Sequence, residues 1–419
     1  MHIWYIHHYA GGPGLGAHYR PYHLARAWQA QGHTARIFVA GFHHLLEAQS
    51  ALAPEFEIDG AQYVTIPARR YAGNGVGRIL NMWDFSAGLR RAGRTYEKSG
   101  PSPDAIVVSS PHPFSIFVAQ RLARRYRAKL IFEIRDIWPL SLTEILGVSR
   151  WHPFVQMCGF AERLALKRAD LIASVLPRAD RYLIDKGYEN KPFVWVPNGV
   201  DNQEIGSSTS PDETSRIAWN TLVRWKQEGR VIIAHAGSLG KPNAVDLLLK
   251  AVLAARASGD ADKYGVLLIG KGEQMSVLQQ FVRDHELHGV YFVGHVAKKD
   301  VHRLVGECDI AYAGVRPFDE LYRYGVSLNK FADYFGASLP VVLPIAPCGD
   351  PVSESGGGIA RRMETPEAVW EALRELISLS PQERRALGER GKAHMAQQYD
   401  YAGIARNYIK AIARLPDVD

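Results

Sequence analysis

Cysteine is scarce in this chain of 419 residues: there are three, Cys158, Cys308 and Cys348, far apart and odd in number. That count argues against a disulfide framework and a cysteine-built zinc site, so the thiols are expected to be reduced. Long apolar runs are missing too. No stretch approaches the roughly 18 apolar residues of a membrane span. The apolar start Ile3-Trp-Tyr-Ile6 is too short for a signal peptide, so a cytoplasmic chain is expected. An Asp-x-Asp metal motif is also lacking, because Asp260-Ala-Asp262 lies in a loop and Asp417-Val-Asp419 ends the chain. The pairs His7-His8 and His43-His44 do not replace it, since adjacent side chains on a strand point to opposite faces. No metal is expected.

What is present is ordinary for a globular protein: 47% hydrophobic and 22% charged residues. The length predicts two domains of about 200 residues each. Charge is uneven. Residues 1–200 hold 24 Lys and Arg against 15 Asp and Glu, a net +9, whereas the remainder holds 26 against 28, a net −2. In the basic half, Arg69, Arg70, Arg78, Arg90, Arg91, Arg94 and Lys98 face only Asp84 and Glu97, and are interleaved with Tyr71, Trp83, Phe85 and Tyr96. Arg121, Arg124, Arg125, Arg127 and Lys129 are expected on one amphipathic helix. Such surfaces suit anionic lipid headgroups or nucleic acid, and single-sign helix faces are also often merely solvated. No nucleic-acid-binding motif accompanies them.

The start reads as strand, glycine loop, helix and strand: His2 to His8, Ala10-Gly-Gly-Pro-Gly-Leu-Gly16, Tyr19 to Gln31, His33 to Ala40. That βαβ opening places a loop where doubly wound sheets hold ligands. It is not a dinucleotide fingerprint, because Pro13 crowds the glycines and Ile37-Phe-Val-Ala40 runs into Gly41 without an acidic residue. Short apolar runs at 105–109, 130–134, 171–174 and 193–196 read as buried parallel strands. After Pro197-Asn-Gly-Val-Asp201 comes a polar linker over 202–214, and then the pattern restarts. Strands are expected at 231–235, 265–269, 290–293 and 309–312, with helices over 244–255 and 401–413.

The most informative stretch runs from Tyr322 to Leu343, joining a Gly/Ser turn to a short helix with Lys330 and Asp333 and then, past Pro340, to a buried strand. A helix start directs N–H groups and a positive dipole end at a phosphate, Lys330 adds a full charge, and Asp333 can accept from ribose hydroxyls. The expected ligand is a nucleotide diphosphate. This segment resembles the donor-binding motif of retaining glycosyltransferase family 4, and the wording Ser327-Leu-Asn-Lys330 is closer to the branch that builds bacterial O-antigen and capsule amino sugars. Asp333 takes the second position of that family's paired-acid motif. The first position falls on Gly325, so its carboxylate has no counterpart here.

The resemblance implies an α/β chain of the GT-B fold, two Rossmann-like doubly wound domains facing across a cleft. Residues 1–200 would bind the acceptor and 201–395 the nucleotide sugar, with 396–419 returning to the first domain. On the donor side it points to Gly11, Gly12, Gly14 and Gly16, although a plain tight turn explains those glycines as well. It also points to Gly237, Ser238, Lys241, Gly270, Val296, Ser327, Leu328, Asn329, Lys330 and Asp333. The family's Gly-Arg diphosphate pattern is absent, since Gly237-Ser238 precedes Lys241 and Asn243. His112 and Lys330 are the implied catalytic residues. Glu133, Arg135 and Asp136 are implied at the acceptor or cleft, with an internal ion pair as the other reading.

The implied activity is retaining, metal-independent and cofactor-free transfer of a sugar, an N-acetylated amino sugar, from UDP to a polyprenyl-diphosphate-linked or other glycan acceptor in surface-polysaccharide synthesis. It would take place at the anionic inner face of the membrane. A nucleotide-sugar epimerase of the same fold and a basic nucleic-acid-binding protein are the alternatives.

Overall fold

The computed structural model describes residues 1–16, 18–47, 51–73, 75–96, 101–200, 213–257 and 263–417. Lys98, Asp260-Ala-Asp262, Asp419 and most of the expected linker lie outside them. Glu213 and Thr214, expected in that linker, open the helix Glu213–Gln227 instead. The chain divides into two compact units. One comprises Met1–Gly199, Arg323–Ser327 and Asp400–Asp419; the other comprises Val200–Tyr322 and Leu328–Tyr399.

The strands of the first unit are β1 (His2–Ile6), β2 (Thr34–Ala40), β3 (Glu55–Ile58), β4 (Ala61–Ile66), β5 (Ala105–Ser109), β6 (Lys129–Ile134), β7 (Leu171–Ser174) and β8 (Phe193–Trp195). Among the described residues they form one sheet in the order β3-β4-β2-β1-β5-β6-β7-β8. All its pairings are parallel except β3 with β4. That antiparallel pair turns through Asp59 and Gly60 at φ 46° and 86°, the left-handed pair that a two-residue hairpin requires. β1 and β5 are buried at every position, as expected of strands covered on both faces. On one side Trp28 of the helix Arg20–Ala30 meets Tyr408 of the C-terminal helix Tyr401–Ala413, ring centroids 5.6 Å apart.

The predicted basic helix is shorter than expected. The helix Ile116–Tyr126 stops at Arg127, whose φ is 52°, and Lys129 opens β6. The Lys129 ammonium donates to the Leu415 carbonyl at 3.0 Å, so it belongs to a strand and to the packing of the chain's end.

In the second unit the strands are β9 (Val231–Ala236), β10 (Tyr264–Ile269), β11 (Val290–Gly294), β12 (Ile310–Tyr312), β13 (Val341–Leu343) and β14 (Gly358–Ala360). Among the described residues they lie in the order β11-β10-β9-β12-β13-β14, all parallel. Counted from β9, this is the 3-2-1-4-5-6 order of nucleotide-binding sheets. In such a sheet the chain leaves the central pair of strands in opposite directions, which opens a crevice at their carboxyl ends. That point lies between β9 and β12 here, and between β1 and β5 in the first unit.

One buried ion pair fixes the carboxyl edge of the first sheet. Glu133 of β6 is fully buried, and its Oε2 accepts from Arg20 Nη2 at 2.9 Å. Its Oε1 accepts from the Tyr5 and Ser109 hydroxyls, both at 2.8 Å. Arg20 also donates to the carbonyls of Val196, at 2.7 Å, and Pro197. Burial alone would raise the Glu133 carboxyl, but the Arg20 guanidinium, joined by the Arg135 charge and the Ser109 hydroxyl, holds the group below its ordinary range. Arg20→Met should strand this carboxylate and cost about 3–5 kcal/mol of stability. Urea unfolding measures the loss, and adding Glu133→Leu should recover part of it. A loss below about 1 kcal/mol, typical of an exposed pair, would contradict the role given to Arg20.

Candidate functional site

The crevice point of the second sheet is built around Lys330. Its ammonium donates to Asn243 Oδ1 at 2.9 Å, from the loop after β9, and lies 3.5 Å from the Gly314 carbonyl, from the loop after β12. Burial pushes this amine down to about 8. Three glycines end the adjacent strands or follow them directly: Gly237, Gly270 and Gly294, with φ of 141°, 133° and 85°. A Cβ on Gly270 would stand 1.9 Å from the Gly237 carbonyl oxygen, so the strand ends approach too closely for any side chain. The Gly237 and Gly270 amides donate to the carbonyls of Ile269 and Gly294, at 2.9 and 2.8 Å. These two amides are therefore used within the sheet, and the glycines leave the strand ends without side chains. A Cβ on Gly237 would lie 3.9 Å from Lys330 Nζ, which places the ammonium beside this bare edge.

Ser238 and Lys241 are exposed on the loop after β9, and Val296 is buried in the loop after β11. Arg316, which the sequence did not single out, clamps the β9 loop by donating to the Lys241 carbonyl at 2.9 Å and to Asp246 at 2.7 Å. The helix Lys330–Gly336 forms as expected, but its first turn offers fewer donors than a free helix start. The Phe331 and Ala332 amides already bond the carbonyls of Leu328 and Asn329, at 3.2 and 3.1 Å. Positive charge at this point therefore falls on Lys330 itself. Asp333 Oδ1 lies 3.4 Å from His302 Nε2, a neighbour that sequence reasoning missed. Gly325 has φ 95°, a conformation that disfavours a side chain where the family motif has its first acid. Ser327 groups with the first unit, where its hydroxyl accepts from Asn198 at 3.1 Å.

In the first unit the glycine loop is a closed turn. Gly12 and Gly16 exchange N–H to carbonyl bonds at 3.2 and 3.3 Å, and the Gly11 amide donates to the His18 carbonyl at 2.9 Å. A Cβ would stand 2.1 Å from the Gly16 oxygen at Gly11 and 2.4 Å from the Leu45 oxygen at Gly16, while Gly14 holds φ 69° at the exposed tip. Turn geometry thus accounts for Gly11, Gly14 and Gly16 without a ligand. Glu133, expected at the acceptor, is the buried partner of Arg20, with its oxygens engaged inside the core. Asp136 is exposed just beyond β6. The Arg135 guanidinium lies 3.2 Å from His7 Nε2, and its amide donates to Ser110 at 3.1 Å.

His112 meets His8 at the crevice point between β1 and β5. Asn81 sets the direction of this contact. Its amide nitrogen donates to the Phe42 and Arg69 carbonyls at 3.0 and 2.6 Å, which turns Oδ1 towards His8 Nε2 at 2.8 Å. Burial keeps both rings neutral, with the Arg78 charge adding to the effect on His112, whose imidazole is pushed to about 3. His8 Nε2 must then carry the proton and give it to Asn81. His8 Nδ1 accepts from His112 Nε2 at 2.9 Å, and His112 Nδ1 is left as a bare acceptor with no hydrogen-bond partner among the described residues. His8 entered the sequence reading only as half of a metal pair, and nothing in the sequence marks Asn81. Among the described residues no group of three or more His, Cys, Asp or Glu side chains is arranged to hold a metal ion.

Residues 16–199 match the family model of the glycosyl transferase 4-like domain. An uncharacterized glycosyltransferase of Methanocaldococcus jannaschii is 20% identical over 257 residues, a match spanning 60% of this chain and 60% of that protein. Sucrose-phosphate synthase of Thermosynechococcus elongatus superposes with a TM-score of 0.71 at 15% identity, over 99% of this chain and 98% of that one. The Anabaena protein HepE, solved in complex with UDP, gives 0.67 at 15% identity over 99% and 100%. At these identities the likeness carries the fold: two Rossmann-like α/β domains with parallel sheets, as in GT-B glycosyltransferases.

The hydrogen-bond chain from Asn81 predicts one tautomer. Histidine ¹⁵N spectra between pH 5 and 8 should show His112 protonated at Nε2 and bare at Nδ1, with no titration in that window. A proton on Nδ1 would break the chain as drawn.

Proposed function

We propose that this chain is a retaining glycosyltransferase that binds a UDP-linked sugar, an N-acetylated amino sugar, through its second unit. It passes the sugar to a polyprenyl-diphosphate-linked glycan in surface-polysaccharide synthesis at the inner face of the membrane. The observation that carries the donor half is the placement of Lys330 between Asn243 and the Gly314 carbonyl, beside strand ends that glycine keeps bare. A diphosphate seated there would meet a cation at the point where sheets of this order hold nucleotides. The HepE complex with UDP supports the choice of nucleotide.

Glycosyl transfer with a diphosphate leaving group demands mainly that negative charge growing on that group be stabilised. The Lys330 ammonium supplies this charge. Asp333, one turn along the helix, accepts from the ribose hydroxyls. In the first unit His112 Nδ1 accepts a hydrogen bond from a sugar hydroxyl and so orients it, with Arg135 and Asp136 on the acceptor side and Glu133 reserved for the core.

A thermal-shift screen of nucleoside diphosphates should single out UDP, because a ligand raises the melting temperature according to its affinity. UDP affinity should hold steady up to about pH 8 and fall above it as Lys330 loses its proton in the free protein. Lys330→Arg, which keeps its charge, should remove that alkaline fall. A wild-type profile without it would take Lys330 away from the phosphates.

Asp333→Ala should weaken UDP binding by about 1.5–3 kcal/mol, the range for hydrogen bonds to a charged group, with the melting curve of the free protein unchanged. Calorimetry reads this directly, and undiminished affinity would exclude Asp333 from ribose binding. Conversion of the UDP-sugar to its epimer without any acceptor would move the reading to an epimerase of the same fold.

A further inference from the structure

Three helices of the first unit, Val76–Tyr96, Ile116–Tyr126 and Pro153–Arg168, pack side by side. A Cβ on Gly93 of the first would lie 2.6 Å from Leu122 of the second, and the Tyr126 hydroxyl donates to the Gly93 carbonyl at 2.6 Å. Each helix follows a strand of one parallel run, so all three point the same way. Their side chains therefore line up in bands across the face.

One band is apolar. Trp83 stacks on Phe117 with centroids 5.9 Å apart, and Phe117 on Phe160 at 6.0 Å, one residue from each helix. Val76 and Leu80 extend it at helical spacing before Trp83, and Val76, Leu80 and Phe160 are 70%, 39% and 56% exposed. The second band is basic and lies towards the helix C-termini. Arg90 is two turns beyond Trp83, and Arg121 and Arg124 are one and two turns beyond Phe117, all exposed. Two other arginines of the basic half have partners within the unit: Arg69, itself exposed, is ion-paired with Asp84 at 2.5 Å, and the half-buried Arg78 donates to the Tyr9 hydroxyl at 3.2 Å.

We propose that this face docks on an anionic lipid surface, the apolar band entering the boundary between headgroups and acyl chains while the arginines meet headgroup phosphates. The charge is complementary to phosphate, and the aliphatic end of the band needs an apolar phase. Single-stranded nucleic acid fits less well. Its bases stack on aromatic rings, which the exposed Val76 and Leu80 of this band do not supply. Among the described residues no helix is long and apolar enough to cross a membrane, so attachment by these helices is through their surface. The proposal does not depend on which donor the second unit takes.

Co-sedimentation of the full chain with phosphatidylcholine vesicles, with and without phosphatidylglycerol, tests it. Binding should require phosphatidylglycerol, and should fall as salt shortens the screening length without vanishing. Arg90→Glu with Arg124→Glu should lower partitioning by about tenfold or more. Leu80→Ser with Phe160→Ser should remove the fraction that survives high salt. These side chains are exposed, so circular dichroism melting curves and UDP affinity should match the parent's and separate this surface from the donor site. Equal binding to neutral vesicles, no binding at low salt, or binding to a single-stranded RNA without binding to vesicles would overturn the proposal.

Discussion

Arg20 and Glu133 form the contact on which the geometry of the first unit depends. A carboxylate in the middle of a parallel sheet is tolerated only with its charge paired and its lone pairs satisfied. Glu133 meets both conditions by gathering Tyr5 from β1, Ser109 from β5 and Arg20 from the helix after the glycine turn. Arg20 in turn holds the carbonyls that follow β8. These bonds join the carboxyl halves of strands far apart in sequence, and the loops bearing His8 and His112 begin just beyond them. The histidine contact lies just past these strand ends, with its proton order set by Asn81.

The two units solve the same topological problem with different charge. Each sheet has one point where neighbouring strands send their connections in opposite directions, and in each a polar contact joins the two loops there. In the first it is a pair of neutral imidazoles with a defined proton order. In the second it is a lysine held by a side-chain amide and near a backbone carbonyl. Neutral donors and acceptors suit the hydroxyls of a sugar, and a cation suits a diphosphate. The difference in charge between two similar scaffolds is what divides the proposed work between them.

Much of this molecule was legible in its sequence. Strands covered on both faces must be short apolar runs, and those runs marked the expected core strands to within a residue or two. The Asp59-Gly60 hairpin carries its own local signal, an Asp-Gly pair suited to two left-handed residues. Lys330 and its helix followed from local order alone: a turn, a cation, an acid one turn later, then a proline and a strand.

Partnership across the chain was decided only by the fold. Glu133 sits beside Arg135 in sequence, yet its counter-ion is Arg20, 113 positions earlier, because strand order brings β6 under the first helix. His112 reaches His8 over a separation of 104, and the proton order between them is set by Asn81, whose type and position announce nothing. Which arginines of the basic half have partners likewise depended on Asp84 and Tyr9 being near Arg69 and Arg78. Sequence determined what each segment would become, because burial pattern and turn chemistry act over a few residues. Tertiary structure decided what each charged or polar group would touch, because those contacts form between segments that only the sheet order brings together.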